Sequence, residues 1–396
     1  MASSINASTT AGLVNTADTS GVLNIQTAGT TAISIDASQA VTFTNSANLP
    51  NTFGFKNRII NGQMQIDQRN GGAEVNPATN AIYLDRWTAR SSQASKFKIQ
   101  QVTTAPTGFS NSLLITSLSA YSIVAADYFT IDQRIETANV IDFAWGTASG
   151  SPAVLSFWVR SSLTGTFTGA IAEYNSASAT YGFSYTISVA NTWEYKTVSI
   201  PCPTIGTWNT TLNGGYMTVT WGLGVGSSET TASNGSWLAV SKRAGTGGTS
   251  VVGTSGATWQ VTGVQLEKGA TATSFDYRDY GRELIMCQRY YQQIGKLNNV
   301  SYQPYGVGVC TSTTAATIII NLPVMMRGTP TFTFNGATNT FSGSVGTAVT
   351  SVISDVMSPT TIMYQAVVAS GFTSGNGARH YQSAASASSL ELSAEL

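Results

Sequence analysis

The chain has 396 residues, of which 42% are hydrophobic and 10% aromatic, while only 10% carry a charge. Its 19 basic and 19 acidic residues balance to a formal net charge of zero, and no basic run occurs. The electrostatic attraction that dominates binding to nucleic acids and anionic membranes is therefore missing. We predict no nucleic-acid partner and no membrane insertion.

Cysteine spacing and targeting signals limit the other classes. The three cysteines, Cys202, Cys287 and Cys310, are far apart and form no CxxC pair, which argues against a metal site and a disulfide framework. The first residues, MASSINASTT, lack the basic and apolar regions of a signal peptide. The longest apolar run, TIIINLPVMM, is about half as long as a membrane span. We expect a soluble protein made in a reducing compartment, without a cofactor or metal.

Residues 1–56 form the first predicted segment. Its first 55 residues carry two charges, Asp18 and Asp36, and contain no tryptophan. Three short alternating runs each place two apolar residues on one face of a strand. These pairs are Leu23 and Ile25, Ile33 and Ile35, and Val41 and Phe43. So few large apolar side chains cannot offset the entropy of ordering the segment. We predict an intertwined fibrous β stem stabilised by other copies of itself; the alternative is a disordered Ser/Thr/Ala linker.

Residues 57–278 form the second segment, and all eight tryptophans lie between Trp87 and Trp259. In YFTIDQRIET, apolar residues alternate with Asp132, Arg134 and Glu136, which predicts a half-buried strand with ion pairs on its polar face. In WQVTGVQLEKG the alternation slips at Gly263, which predicts a β-bulge. Many such strands predict an antiparallel, jelly-roll-like and lectin-like β-sandwich.

Residues 279–295 have a different period. Apolar and aromatic residues recur at spacings of 4, 3, 4 and 3, which indicates a helix with a coiled-coil seam. These residues are Tyr280, Leu284, Cys287, Tyr291 and Ile294. We predict a connecting helix whose copies pack together in a trimer, with arginine–carboxylate pairs fixing their register. A cysteine on this stripe belongs in a core; a reactive thiolate is the alternative.

Residues 296–396 contain strand-like runs such as TIIINLP and PTFTFNG and predict a smaller β domain. The only histidine, His380, lies in the glycine-rich stretch TSGNGARHYQ. Nucleophilic triads usually need a histidine base, and His380 would have to serve. No G-x-S-x-G turn accompanies it, so we expect a surface residue.

Exposed aromatic residues in turn-rich stretches are the candidates for ligand binding. Trp208, Trp237 and Tyr121 each lie among small polar residues. Such a residue can stack on a sugar face while its neighbours bond the hydroxyls; alternatively it closes the end of the sandwich core. Paired carboxylates could instead hydrolyse a glycan. The candidates are Asp127, Asp132, Glu136, Asp142, Glu173, Glu194 and Glu229.

Several stretches resemble the tail-fibre and related receptor-binding structural proteins of tailed bacteriophages. They are NRIINGQMQIDQRNGG, LDRW, DQRIE, LSFWVRS, VQLEKGATATSFDYRDYGRELIMCQRYYQ and PVMMRGTPTF. The N-terminal repeats also look like the stems of such proteins. The longest stretch is the most specific, and the stem is the least.

The resemblance implies a homotrimeric virion component that is synthesised in the host cytoplasm. It implies an N-terminal segment bound to other virion proteins and outward β domains that contact the host surface, but it brings no residue-level receptor site. We therefore expect a non-catalytic fibre that binds a bacterial surface glycan through multivalent weak sites. The alternatives are a head-attached or decorating fibre without a specific ligand and a glycan-cleaving depolymerase tailspike.

Overall fold

The computed structural model divides the chain into two compact units, Met1–Thr52 and Phe53–Leu396. Before residue 55 it describes residues 20, 22–27, 29–39 and 41–43. From residue 55 onward it describes all but residues 174–178, 209, 213–215, 296–302, 343–344 and 383–387. In the described residues nearly all regular structure is β-strand, which confirms the predicted all-β class. The domain boundaries drawn from the sequence within the second unit stay predictions.

The first unit contains a three-stranded antiparallel sheet made of β1 (Leu23–Thr27), β2 (Thr30–Ile35) and β3 (Val41–Phe43). Leu23 pairs with Ile35, and Ile25 pairs with Ile33, so the predicted apolar pairs share one face. Leu23 and Ile25 are 43% and 40% exposed. The described residues thus form an antiparallel sheet with an open apolar face, whereas the intertwining of copies stays a prediction.

The strands of the central region follow in chain order. They are β4 (Ala81–Leu84), β5 (Trp87–Ser91), β6 (Phe97–Val102), β7 (Ser112–Ser117), β8 (Tyr128–Glu136), β9 (Ala153–Ser161), β10 (Gly165–Glu173), β11 (Thr180–Ile187), β12 (Glu194–Ile200), β13 (Tyr216–Val225), β14 (Trp237–Leu238) and β15 (Thr258–Lys268). Two short 3-10 helices, Thr137–Asn139 and Ile141–Phe143, follow β8.

These strands form a β-sandwich of two sheets. One has the order β14-β11-β10-β13-β8-β5-β4, and the other has the order β12-β9-β15-β7-β6. Alternate residues of both sheets meet in one core, in which Trp87, Trp221 and Trp259 are completely buried. The register of β15 against β9 shifts between Thr262 and Gln265, which confirms the bulge predicted at Gly263. The positive φ of 60° at Gly263 suits glycine at this position.

The predicted helix over residues 279–295 is only partly correct. Helix α1 spans Tyr280–Gln288, and the side chain of Asp279 caps its first turn by accepting from the Arg282 N–H. The chain then forms strand β16 (Tyr291–Gly295), so the predicted helix is wrong over its last residues. A period of 4 and 3 over so few residues does not reveal that a distant strand is available for pairing.

The remaining strands form two further sheets. They are β17 (Pro304–Cys310), β18 (Ala315–Asn321), β19 (Thr331–Asn335), β20 (Thr338–Ser342), β21 (Val345–Met357), β22 (Thr361–Val368), β23 (Gly377–Gln382) and β24 (Ser389–Ser393). Strands β16, β24 and β19 form a three-stranded sheet, and the other six close into a barrel of order β17-β18-β22-β21-β20-β23.

His380 lies inside this barrel, where it is completely buried, so the predicted surface position is wrong. It sits on β23, and its ring nitrogens form hydrogen bonds with the hydroxyls of Tyr364 and Thr338 at 2.7 and 2.8 Å. The glycine-rich sequence around His380 is typical of an exposed loop, and this led to the wrong prediction. In the structure His380 lies on a strand, where alternate side chains face the interior of the barrel.

Charged residues of the second unit form ion pairs within the chain. Glu283 of α1 pairs with Arg278, whose guanidinium also donates to the carbonyl oxygens of Asn57 and Ile59. Four arginines surround the last two residues of the sequence, Glu395 and Leu396. They are Arg69 and Arg86, which pair with Glu395, and Arg327 and Arg134, which donate to the carbonyls of Glu395 and Leu396. The two arginine–carboxylate pairs of the helix region, Arg278–Glu283 and Arg289–Glu136, are therefore contacts within one chain.

The predicted assembly stripe is divided by this packing. Cys287 and Tyr291 are buried inside the chain, and the partly buried Leu284 packs against the small apolar cluster that contains Cys287. Tyr280 is 59% exposed, and Ile294 is partly buried against the core of the barrel region. Assembly of three copies stays a prediction, but the surface of Cys287 and Tyr291 is already covered by their own chain.

Candidate functional site

The first candidate site is an aromatic cavity at one end of the sandwich. It has a volume of about 210 Å³, and its walls combine aromatic, aliphatic and hydroxyl side chains. They belong to Thr137, Val140, Ile141, Ala144, Trp145, Thr147, Glu173, Trp208, Thr210 and Met217. We call this space the aromatic cavity.

Three tryptophans pack edge to face beside the cavity. The ring centroid of Trp208 lies 4.8 Å from that of Trp145 and 5.5 Å from that of Trp237. Their indole N–H groups donate to protein carbonyls, Trp208 to Ile205 and Trp237 to Pro201. Because these N–H groups are already satisfied, the tryptophans can offer a ligand only their ring faces and edges.

The structure brings together two of the three predicted ligand residues. Trp208 lines the cavity, whereas Trp237 packs behind it against Trp145. Tyr121 lies elsewhere: its ring packs on Phe129 at the beginning of β8, and its hydroxyl donates to Asp127 at 2.9 Å. The cavity begins beyond the other end of β8, so Tyr121 cannot share a ligand with Trp208 there. The ligand role of all three stays a prediction.

The second candidate site lies on the outer face of the seven-stranded sheet. It has a volume of about 390 Å³ and is mostly polar. It is lined by Arg90, Thr130, Asp132, Arg134, Ala172, Glu173, Thr218, Thr220, Glu229, Ser241, Lys242 and Arg243. We call it the outer groove; its volume falls within the range of about 300–1,000 Å³ typical of small-molecule sites.

Strand register explains why these residues meet. On the outer face Asp132 of β8 lies opposite Thr220 of β13, and Arg134 lies opposite Thr218. On the other side of β8, Arg90 of β5 lies opposite Thr130. The next strand, β10, contributes the small side chain of Ala172 opposite Thr218. Hydroxyl, charged and small residues thus form the floor, while the intervening residues face the core.

Buried polar atoms on this floor have no partner. Among the residues that the structure describes, Asp132 Oδ2, Thr130 Oγ1 and Thr218 Oγ1 make no hydrogen bond. Asp132 and Thr130 are completely buried, and Thr218 is 9% exposed. The other oxygen of Asp132 accepts from Arg90 Nε at 2.7 Å. Burial raises the pKa of the Asp132 carboxyl, although the positive charges of Arg90 and Arg134 oppose this shift.

The wall opposite the sheet comes from residues 229–243. Arg243 Nε donates to Glu229 at 3.1 Å, and the guanidinium lies 3.8 Å from the centre of the Tyr128 ring. The backbone N–H of Lys242 donates to the Thr180 hydroxyl at 3.2 Å. These contacts fix the loop over the sheet, so the groove is formed by the chain before any ligand arrives.

The outer groove was not predicted as a ligand site. The alternation in YFTIDQRIET predicts ion pairing on the polar face of the strand, and Asp132, Glu173 and Glu229 are candidates only for paired catalytic acids. Asp132 does pair with Arg90, and Glu136 pairs with Arg289. A further signal was present: Thr218 and Thr220 alternate with Met217, Val219 and Trp221, so two strands carry polar outer faces. Their adjacency depends on a sheet order that the sequence does not reveal.

The described residues contain neither a candidate metal-binding cluster nor a candidate membrane-spanning helix. No group of three or more His, Cys, Asp or Glu side chains there is arranged to hold a metal ion. None of the helices in this part of the chain combines enough length and apolar character to span a bilayer.

No family model matches this chain, and no curated protein matches it. Solved structures show a distant likeness. The enzymatically active domain of tailspike protein 4 of bacteriophage CBA120 is 12% identical, over 54% of this chain and 21% of that one, with a TM-score of 0.28. The chain therefore spans about a fifth of that domain's length.

Two further similar structures are a putative sugar binding protein from Bacteroides thetaiotaomicron and a protein described as CBM4. The first is 12% identical over 54% of this chain and 100% of that one, with a TM-score of 0.33. The second is 14% identical over 52% of this chain and 97% of that one, with a TM-score of 0.27.

Proposed function

We propose that this chain is a bacteriophage fibre protein that binds a glycan on the bacterial surface without cleaving it. The observation that carries the proposal is the aromatic cavity, in which the half-buried Trp208 lies against Trp145. The sequence resemblance to tail-fibre proteins supplies the biological setting, that is, an external virion fibre.

The cavity suits one end of a neutral saccharide. A sugar ring presents C–H groups on its faces and hydroxyls around its edge, so it binds where an aromatic surface adjoins hydrogen-bonding groups. Here the tryptophans supply the apolar surface, while Thr137, Thr147 and Glu173 supply polar atoms. The volume of about 210 Å³ is below that of typical drug-sized sites, so the cavity would hold one sugar unit of a longer chain.

Weak single sites require multivalency, and the proposal therefore includes a homotrimer. Two exposed apolar surfaces support it. One is the open face of the N-terminal sheet around Leu23 and Ile25. The other is the outside of the barrel, where Val307 and Ile319 lie opposite each other and are 66% and 47% exposed. Exposed apolar patches of this kind usually mark protein interfaces.

Sedimentation velocity of the full chain tests the homotrimer, with the double substitution Leu23→Ser and Ile25→Ser as the variant. We expect a trimer for the wild type and a shift toward smaller species for the variant. A wild-type chain that sediments as a folded monomer at micromolar concentration would contradict this part of the proposal.

Glycan binding is tested with Trp208→Ala on an array of neutral bacterial-surface saccharides. Loss of the platform should weaken binding about tenfold, because an aromatic contact contributes about 0.5–1.5 kcal/mol beyond the apolar area that it buries, and the loss of that area adds to this. The matched control is Trp158→Ala. Trp158 is also partly exposed, but it packs on Tyr195 and does not line the cavity. If the folded Trp208 variant binds as well as the control, the platform proposal is wrong.

The same experiments also test two alternative functions, a decorating fibre and a depolymerase. A decorating fibre without a specific ligand would bind no saccharide on the array in either form. A depolymerase is favoured by one observation, namely that the outer groove collects Asp132, Glu173 and Glu229. Release of reducing ends from host capsule or lipopolysaccharide, abolished by Glu229→Gln, would establish cleavage and displace the binding model.

A further inference from the structure

We propose that the outer groove is a second saccharide site, separate from the aromatic cavity, and that it takes a sugar unit bearing a carboxylate. The inference rests on the proposed glycan binding for its class of ligand. The two sites share only Glu173 among their lining residues, and Thr218 and Arg243, which are changed in the test, line only the groove. Each proposal can therefore fail without the other.

Three buried polar atoms on the floor of the groove have no hydrogen-bond partner among the described residues. Leaving a buried polar group unsatisfied costs about 1–3 kcal/mol, and native structures contain few such groups. Three of them line one groove here, at Asp132 Oδ2, Thr130 Oγ1 and Thr218 Oγ1. A ligand that supplies hydrogen bonds to all three would recover this cost. Asp132 needs a donor, whereas the threonines can donate or accept, and sugar hydroxyls meet both requirements.

Two of the three arginines that line the groove contact an acidic side chain through Nε. Arg90 uses Nε to contact Asp132, and Arg243 uses Nε to contact Glu229. Within the described part of the chain, the terminal nitrogens of both guanidinium groups make no hydrogen bond. Both residues line the groove. A guanidinium whose two terminal nitrogens are available matches the geometry of a carboxylate, which it can bind through two parallel hydrogen bonds.

The charges that line the groove favour an anionic ligand. The groove is lined by the cations Arg90, Arg134, Lys242 and Arg243 and by the anions Asp132, Glu173 and Glu229. That leaves one more cation than anions among the lining residues, so an anionic ligand is favoured over a cationic one. A ligand without a carboxylate would form no paired hydrogen bonds with the guanidinium groups of Arg90 and Arg243. A ligand without hydroxyls would leave the buried polar atoms of the floor without hydrogen-bond partners. A uronic-acid or related acidic sugar satisfies both.

The test uses an array of acidic saccharides, uronate-containing and sialic-acid-terminated, each printed beside its carboxyl-reduced counterpart. The full chain should bind at least one acidic saccharide about tenfold more tightly than the reduced form. That acidic saccharide is then titrated by calorimetry against two variants. Thr218→Val removes an unpartnered hydroxyl without breaking a hydrogen bond within the protein. Arg243→Lys keeps the charge but removes the fork.

We expect each variant to bind the acidic saccharide about tenfold more weakly, which corresponds to about 1.4 kcal/mol. The thermal stability of Thr218→Val should be unchanged or higher, because it relieves an unsatisfied group. Trp158→Ala serves as the control and should leave this binding intact, because Trp158 packs on Tyr195 and lines neither site. The inference is overturned if no acidic saccharide binds, if the reduced forms bind equally, or if both folded groove variants bind like the wild type.

The binding of neutral and acidic saccharides by these variants distinguishes failure of one proposal from failure of the other. If Trp208→Ala loses neutral saccharides while the groove variants keep acidic ones, only the groove inference fails. If the groove variants lose acidic saccharides while Trp208→Ala keeps neutral ones, only the proposed role of the aromatic cavity fails.

Discussion

The guanidinium of Arg289 donates to the carboxylate of Glu136 at 2.9 Å, which ties the residue after helix α1 to the end of strand β8. The hydroxyl of Tyr290 donates to the same carboxylate at 2.7 Å. Glu136 is 1% exposed, so this contact is part of the interior. The concentration of charge around the helix therefore serves to join the sandwich, the helix and the last strands into one unit.

Replacing Glu136 with glutamine should destabilise this joint. The substitution keeps the volume but removes the charge that Arg289 and Tyr290 share. Breaking a buried ion pair usually costs about 3–5 kcal/mol. The Arg289 side chain is 32% exposed, so solvent screens part of its interaction with Glu136. We therefore expect the free energy of unfolding to fall by about 2 kcal/mol.

Denaturant titration of the variant measures this loss. The control is Glu74→Gln, which removes an exposed ion pair with Lys98 at 2.7 Å and should cost less than about 1 kcal/mol. Equal losses in the two variants would show that the joint contributes no more than a surface contact.

The alternation of apolar and polar residues was enough to predict the main architecture. Trp221 and its in-phase neighbours in YMTVTWGLGVG face the core, and the slip at Gly263 is a bulge, because burial on one face fixes both patterns locally. The end of helix α1 was not predictable in this way. Residues 291–295 leave the helix because β24 pairs with them, and that strand lies about a hundred residues further along the sequence.

The candidate sites were predictable to different degrees. The local setting of Trp208 among turn residues suggested it as a ligand residue; the structure places it in the wall of the aromatic cavity, and its ligand role stays a prediction. The outer groove required β5, β8, β10 and β13 to be neighbours, although they lie far apart in the sequence. The sequence also cannot show that the hydroxyls of Thr130 and Thr218 lack hydrogen-bond partners. Whether a threonine hydroxyl in a strand finds a partner depends on the side chains that neighbouring strands place beside it.

The thiol of Cys287 should be unreactive in the folded protein. Burial raises its pKa well above the ordinary value, and the negative charges of Asp85 and Glu283 act in the same direction. The thiolate is the reactive form, so little of it exists at neutral pH. In a Cys202→Ala background, which removes the only partly exposed cysteine, Ellman's reagent at pH 8 should react with neither remaining thiol until denaturant is added. Rapid labelling of native Cys287 would return it to the list of candidate nucleophiles.

Gly62 should tolerate no side chain. A Cβ at this position would lie 2.3 Å from the carbonyl oxygen of Val264, and that atom belongs to backbone held by a hydrogen bond from the Val264 N–H to Gly62 O at 2.9 Å. Gly62→Ala should therefore destabilise the sandwich by about 2 kcal/mol or more, as backbone-displacing overpacking does. Gly328→Ala is the control, because no atom lies within 4 Å of a Cβ there. A variant at residue 62 with wild-type melting temperature would contradict the observed packing.

The barrel should lose stability in acid because of His380. Burial lowers the pKa of His380 to about 3, against an ordinary value of 6.5. Between these two values the unfolded chain binds a proton that the folded barrel does not, so the free energy of unfolding falls as the pH decreases from about 6.5 toward 3. The slope from this residue is about 1.4 kcal/mol per pH unit.

Hydrogen exchange of peptides covering Thr361–Val368 and Gly377–Gln382 measures the effect in the barrel itself. The comparison is His380→Gln, which keeps hydrogen-bonding capacity toward Tyr364 and Thr338 but does not titrate. We expect the wild type to be the more protected form at pH 7 and its advantage to shrink steadily as the pH falls to 4.5. Parallel pH profiles for the two proteins would mean that acid destabilises the barrel through carboxylates, and that the buried histidine takes no part.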